Sequence, residues 1–408
     1  MVPVALIAAA LAAAPAPAPT DAQAKIVQAI SAQRLGLARS SDGSFSGAGW
    51  QRIVDDAAGA QFMMVGEQHG SGSIAEFETA LHKELAQRGY THAGLEIGPV
   101  STRFAERLVR RGPGQLSRYV AAPGHGFALP FLFFGEEIAM AEQMVATSPD
   151  RTAALWGLDQ EFVGAGPLHA DLFEAEARTP AQKAAVAAFR KAAEADGFYS
   201  GKVTDAQLAP LRRAFAGNRA ATGLLDELSA SSAIYAPFLK GPGSGIYAAN
   251  LARETMMKRN FLAAFTAAER RRGSPPKVFL KFGGNHAMRG HSGTDVPALG
   301  NFLAEWGTAR GMRMVNLFVE CDGGEAMNPQ TGKPGLCEPY FGADSLLRQA
   351  VATGPALQLY DLRPLRAKLP GWKALDPATR QVILAFDYYV TIRNGRAATP
   401  VGTPAASQ

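Results

Sequence analysis

Four apolar runs in this sequence stop abruptly at ionisable side chains. Gly66-Glu67-Gln68-His69-Gly70 closes the first, and Leu95-Glu96-Ile97-Gly98 the second. Gly157-Leu158-Asp159-Gln160-Glu161 closes the third, and Gly283-Gly284-Asn285-His286 the fourth. Imidazoles and carboxylates are the groups that move protons near neutral pH, and they are also metal donors. The flanking glycines let the chain turn sharply after a strand and approach a ligand closely.

Each residue also has a plain structural role open to it. Glu67 can pair with an arginine such as Arg253, and Glu96 can satisfy backbone donors at a helix N-terminus. His69 can cap a helix. His286 follows a double glycine as His69 follows a strand, and the two are equally suggestive. His125 sits in the loop PGHGF and is a candidate lid residue. His82, inside LHKEL, reads as solvated, His92 as surface, and His169 has no evident partner.

The elements that must bring these ends together are readable from periodicity. A helix is expected over 25–37, then strand AQFMMVGEQHG, helix SIAEFETALHKELAQRG, strand YTHAGLEIGP and helix VSTRFAERLVRR. FALPFLFF (127–134) is core or a hydrophobic lid, and TAALWGLDQEF (152–162) is a third strand. The Ala-rich stretch 167–240 reads as an all-helical insertion. A helix over 246–272, strand KVFLKFGGNH, a helix over 296–308 and strand MRMVNLFVE (312–320) follow, with late strands at 358–365 and 386–393. Strand and helix alternating in this way predict an α/β fold: a mostly parallel sheet with helices on both faces, plus the helical insertion. Ligands of such sheets bind beyond the carboxyl ends of the strands, where all four polar clusters would lie.

With 408 residues, 47% apolar and 19% charged, the chain can bury a large core and is not a disordered polymer. The expected organisation is a signal peptide over 1–19, one domain over 25–395 and a disordered tail over 396–408. The leader is apolar and ends in Ala16-Pro-Ala18, which predicts a periplasmic or secreted protein. No apolar run reaches the roughly 18 residues that span a bilayer, so an integral membrane protein is not expected. A net charge of +5 with interspersed signs does not point to nucleic acid. Export permits Cys321 and Cys337 to form a structural disulfide across a Gly-rich loop. G-x-S-x-G, the phosphate-loop pattern, G-x-G-x-x-G after the first strand and H-E-x-x-H are all absent.

The order of these segments resembles the erythromycin esterase-like and ChaN-like superfamily, which includes the Tiki/TraB proteins. The matching pieces are GEQHG after a strand, a helix opening S-x-x-E-F, the strand end GLEIG, the helix segment Ala252-Arg253-Glu254-Thr255-Met256-Met257, KFGGNHAMRG and ALGNFLAEWG. Tyr360-Asp361-Leu362-Arg363 and Phe386-Asp387-Tyr388 extend the resemblance to about residue 393. By motif it implies a site of Glu67, His69, Glu96, Arg253 and His286. The esterase branch is thought to use its first histidine to activate water. Tiki-like members are metal-dependent proteases, and ChaN-like members bind haem. The esterases usually place two residues between the first glutamate and histidine. Here only Gln68 intervenes, which is the spacing of the ChaN and Tiki branches rather than that of the macrolactone esterases.

The expected function is an exported hydrolase of a small-molecule or peptide substrate. His69 is the general base, Glu67 and Glu96 orient it, and Arg253 and His286 stabilise an oxyanion. Asp159, Asn285 and His125 are candidate substrate contacts. Glu67, His69, Glu96 and His286 also offer a donor set suited to Mn, Zn or Co, so a divalent metal is one candidate cofactor. The alternatives are a haem or hydrophobic-ligand binding protein with walls from FALPFLFF, Met256 and Met257, and, as the resemblance to the Tiki branch implies, a metal-dependent protease.

Overall fold

The structure, a computed structural model, describes residues 20–401 apart from 242, 244, 329–331, 341 and 343. The leader over 1–19 and the last part of the expected tail, 402–408, lie outside the described residues. Among the described residues no helix is long and apolar enough to cross a membrane.

The strands of the main sheet are β1 Arg34–Leu35, β2 Phe62–Glu67, β3 Tyr90–Leu95, β4 Leu155–Gly157, β5 Lys277–Gly283, β6 Met314–Met327, β7 Pro334–Leu336, β8 Leu357–Asp361 and β9 Tyr388–Gly395. Their spatial order is β1-β8-β9-β6-β2-β5-β3-β4, with β7 paired to the far end of β6. From β9 to β4 all neighbours are parallel; β8 and β1 add an antiparallel edge. The α/β architecture expected from the sequence is the one observed.

Both faces of this sheet are covered, so its central strands are mostly apolar and β2 is buried along its whole length. Alternation then sorts the side chains into two cores. Met63, Val65, Phe279, Val315, Leu317 and Val319 face one way, against Ile74, Phe77, Leu81 and Met144 of the helices Gly72–Ala86 and Gly135–Thr147. Phe62, Met64, Leu280, Phe282 and Phe318 face the other way, against Met257, Phe261 and Phe265 of the helix Ile246–Arg272. A third core, with Phe173, Phe189, Phe215 and Leu228, belongs to the helices between Gly166 and Leu239.

Several boundaries differ from expectation for identifiable reasons. The first helix is Asp21–Ser31, because Thr20 and Gln23 form a capping box ahead of it. The third strand is only Leu155–Gly157. The strand expected over 312–320 runs on to Met327, because β7 folds back onto it. Asp361 ends β8, and a 3₁₀ helix Arg363–Gly371 takes over. The disordered tail expected from Arg396 is, as far as residue 401, pinned to the body. Arg396 pairs with Glu76, and Ala397 and Pro400 bridge to Ser71 and Phe134.

His82 and His92 are not solvated or superficial: both are buried. His82 packs edge-on to Phe279 and bonds Gln143 at 2.9 Å, and burial pushes its pKa down to about 4. His92 bonds Asp150 at 3.0 Å. His169 has partners after all, Ser200 at 3.0 Å and Glu161 at 3.4 Å. Cys321 and Cys337 are joined in a disulfide, as expected.

Candidate active site

Glu67 ends β2, and its neighbour across the ladder is Gly283, which ends β5. Parallel pairing therefore delivers His69 and His286 to the same rim. His69 lies two residues beyond Glu67, and Gly70 behind it takes a φ of +87° with the Met327 backbone pressed where a Cβ would sit. Nδ1 of His69 meets Glu67 Oε1 at 2.7 Å, which leaves Nε2 directed toward Glu96 Oε2 at 3.6 Å. His286 makes the matching arrangement: Nδ1 meets Glu254 Oε1 at 2.6 Å and Nε2 lies 3.4 Å from Glu96 Oε1.

Glu96, from the end of β3, is the hub. It also accepts from the Gly283 amide at 2.6 Å and from Arg253 at 2.8 Å. Arg253, on the helix Ile246–Arg272, holds Asp159 with two bonds of 3.0 and 2.5 Å. Asp159 is the polar end that follows β4, so four strands and one long helix supply this network.

The electrostatics follow from these contacts. Burial would raise Glu96, but His286, His69 and Arg253 hold it well below the usual carboxylate range. Burial would lower His286, but Glu96 and the Glu254 hydrogen bond outweigh it and push the imidazole up to about 9. His69 is raised as well. Its partial desolvation opposes the shift, and the Glu67 hydrogen bond with the Glu96 and Glu67 charges overcomes it.

Glu67 pairs with Lys281, at 2.5 Å, rather than with Arg253. Lys281 lies on β5 opposite Val65, and strand parity points it to the face where Glu67 points. It also meets Glu137 at 3.0 Å. Burial would raise Glu67, but the Lys281 charge and the His69 bond bring it down to about 2. A cavity of about 10 Å³, room for about one water, lies beside His69, Glu96, Phe131, Leu132 and Met144.

Two expected contacts are engaged elsewhere. Asn285 accepts from the Gly293 amide at 3.1 Å and from the Tyr340 hydroxyl at 3.0 Å. His125 bonds Asp171 at 3.1 Å, away from the cluster. Glu67, His69, Glu96 and His286, the expected metal donors, are joined pairwise through Glu67–His69, His69–Glu96 and His286–Glu96 contacts. Among the described residues the one group of three or more His, Cys, Asp or Glu donors within 4.8 Å of one another is Glu67, Glu78 and Glu137. The Lys281 ammonium is already bound there. The segments expected to form haem walls are largely committed to packing, since Leu129, Leu132 and Met257 are core residues.

The structure adds Lys281, Glu254, Glu78 and Glu137 to the site, none of which the sequence singles out. Glu254 stands in the helix segment that carries the family resemblance. The signal available for Lys281 is its parity with Phe279 in KVFLKFGG, which puts a charge on a core face.

No protein-family model and no curated protein matches the sequence. Solved structures do match. A succinoglycan biosynthesis protein aligns with a TM-score of 0.61 at 15% identity, covering 94% of this chain and 100% of its own. A Bacillus cereus protein aligns at 0.58 and 13% identity over 94% of this chain and 100% of its own. A mutant of erythromycin esterase EreC in its open conformation aligns at 0.57 and 15% identity, covering 86% of this chain and 95% of its own. The chain shares its fold with an erythromycin esterase over most of its length.

Proposed function

We propose that the protein is an exported hydrolase in which His69 activates a water against an ester or amide. The observation that carries this reading is the orientation of His69. Nδ1–H donates to the ionised Glu67, so in the neutral ring the lone pair sits on Nε2, the nitrogen turned toward Glu96. The side chain is 38% exposed and borders a cavity that accepts a water.

In that mechanism His69 Nε2 takes a proton from water as the oxygen attacks a carbonyl carbon. The developing oxyanion is met by the nearby positive charges of His286 and Arg253. His69 then returns the proton to the departing alcohol or amine. Glu67 and Glu96 stabilise the imidazolium formed in between, much as a buried carboxylate does for a catalytic histidine elsewhere. The fold shared with an esterase supports the hydrolase reading. The Cys321–Cys337 disulfide is compatible with an extracytoplasmic location.

The test is turnover of ester and peptide panels by the purified protein and by His69→Ala. Hydrolysis lost in the variant supports the assignment; hydrolysis unchanged removes His69 from the mechanism.

A further inference from the structure

We propose that Lys281 is a positioning residue, a buried counter-cation that fixes the Glu67 carboxylate and through it presents Nε2 of His69 to the substrate. The proposal rests on the reading of His69 as the base.

Two donors converge on one oxygen atom. Glu67 Oε1 accepts from both Lys281 Nζ, at 2.5 Å, and His69 Nδ1, at 2.7 Å. A carboxylate held by a single donor can rotate about its last torsion. Sharing that oxygen between a strand-borne ammonium and the imidazole leaves one orientation. Lys281 itself is fixed. It is buried, with Glu137 at 3.0 Å and Glu78 at 4.0 Å on its other sides. Glu67, Glu78 and Glu137 have the mutual spacing of a cation site, and the chain fills it with its own side chain.

One ring covers both ends of the relay. Phe131 lies 4.7 Å from the His69 ring and 4.9 Å from Lys281 Nζ, centroid distances in each case. Its φ of +62° is a left-handed conformation that a phenylalanine adopts only when its surroundings impose it. Stability alone does not account for such a cluster. Buried ion pairs are often matched or exceeded by apolar residues of the same volume. Burial and the neighbouring Glu67 charge push Glu78 well above the usual carboxylate range, so it stays neutral beside the Lys281–Glu67 pair and leaves the ammonium to Glu67 and Glu137.

The experiment reads the imidazole directly. In ¹⁵N-histidine-labelled protein, nitrogen shifts report which ring nitrogen of His69 carries the proton. Lys281→Met is expected to abolish the preference for Nδ1–H at His69 while the His286 signals stay in place. It should lower kcat about 10- to 100-fold with little change in KM, the range for a lost supporting bond. Lys281→Gln, which keeps a donor of similar reach, is the second variant should the first not fold. It should retain part of the tautomer preference. Unaltered His69 nitrogen shifts in a folded variant would overturn the proposal. A changed His69 tautomer together with turnover that His69→Ala leaves intact would keep the positioning link and sink the hydrolase reading instead.

Discussion

His69 and His286 reach one carboxylate from two adjacent strands: their Nε2 atoms lie 3.6 and 3.4 Å from opposite oxygens of Glu96. Each ring spends its Nδ1 on a second carboxylate, Glu67 or Glu254. The pair is similar in connection and different in exposure, since the His69 side chain is 38% exposed and that of His286 is 10%. This difference is the basis for giving the base role to His69 and the cationic role to His286.

The division of roles fixes a pH profile. A base works when neutral, and His69 is raised above its ordinary 6.5, so kcat/KM should fall as pH drops through a value above 6.5. A cationic stabiliser works when protonated, and His286 titrates at about 9, so activity should fall again as pH rises through about 9. The expected profile is a bell between these limits. His286→Gln should lower the plateau and remove the alkaline limb.

The same imidazole links folding to pH. The folded-state value of His286, about 9, lies above the ordinary 6.5. Its contribution is therefore fully present below pH 6.5 and is lost as pH rises through 9. At about 1.4 kcal/mol per pH unit, the full contribution is roughly 3 kcal/mol. Urea unfolding of the wild type and His286→Gln at pH 6 and pH 9.5 measures it. The stability gap between the two proteins should shrink at the higher pH.

Much of this is legible in the sequence because apolar strands that end in glycine and a charged residue are a local signal. β2, β3 and β5 announce themselves, and parallel pairing does the rest. Lys281, Glu78 and His82 are not legible for a common reason. Each is a polar residue on an element buried on more than one side. The helix Gly72–Ala86 is packed between the sheet and the helix Gly135–Thr147, so its buried stripe is wide enough to include Glu78 and His82 beside Ile74, Phe77 and Leu81. Helical periodicity presumes one solvent face, and such residues are assigned to it. The burial of His169 against Glu161 is hidden differently, because its partner lies in a different element and only tertiary packing joins them.

Gly283 tests the geometry with the smallest possible change. Its φ of −57° and ψ of 149° suit any residue, so alanine brings no backbone strain. The added Cβ would stand 2.8 Å from His69 Nε2 and 3.4 Å from Glu96 Oε2. The exposed imidazole is the group able to give way. Gly283→Ala should leave the melting temperature within a few degrees of wild type and lower kcat about 100-fold, the scale for displacing a reacting group by about 1 Å. Thermal melts and steady-state kinetics on the same preparation check both halves.

The disulfide joins stability to the site through Gln68, the residue between Glu67 and His69. Cys321 and Cys337 are 16 apart in sequence, a loop whose closure stabilises the fold by about 3 kcal/mol. The Gln68 side chain accepts from the Cys321 amide at 3.2 Å and donates to the Glu338 carbonyl at 2.6 Å, so it spans both ends of the closed loop. Opening the bond leaves the 338 end held by weaker ties, the backbone hydrogen bonds of Cys337 with Gly323 and Gly324 and the pairing of β7 with β6. Replacing both cysteines by serine should therefore cost about 3 kcal/mol in urea unfolding. It should also lower turnover at temperatures well below the melt, because the segment that carries His69 keeps a looser anchor on that side. A reduced wild type with the same loss of stability but full turnover would show that Gln68 is held by the strand alone.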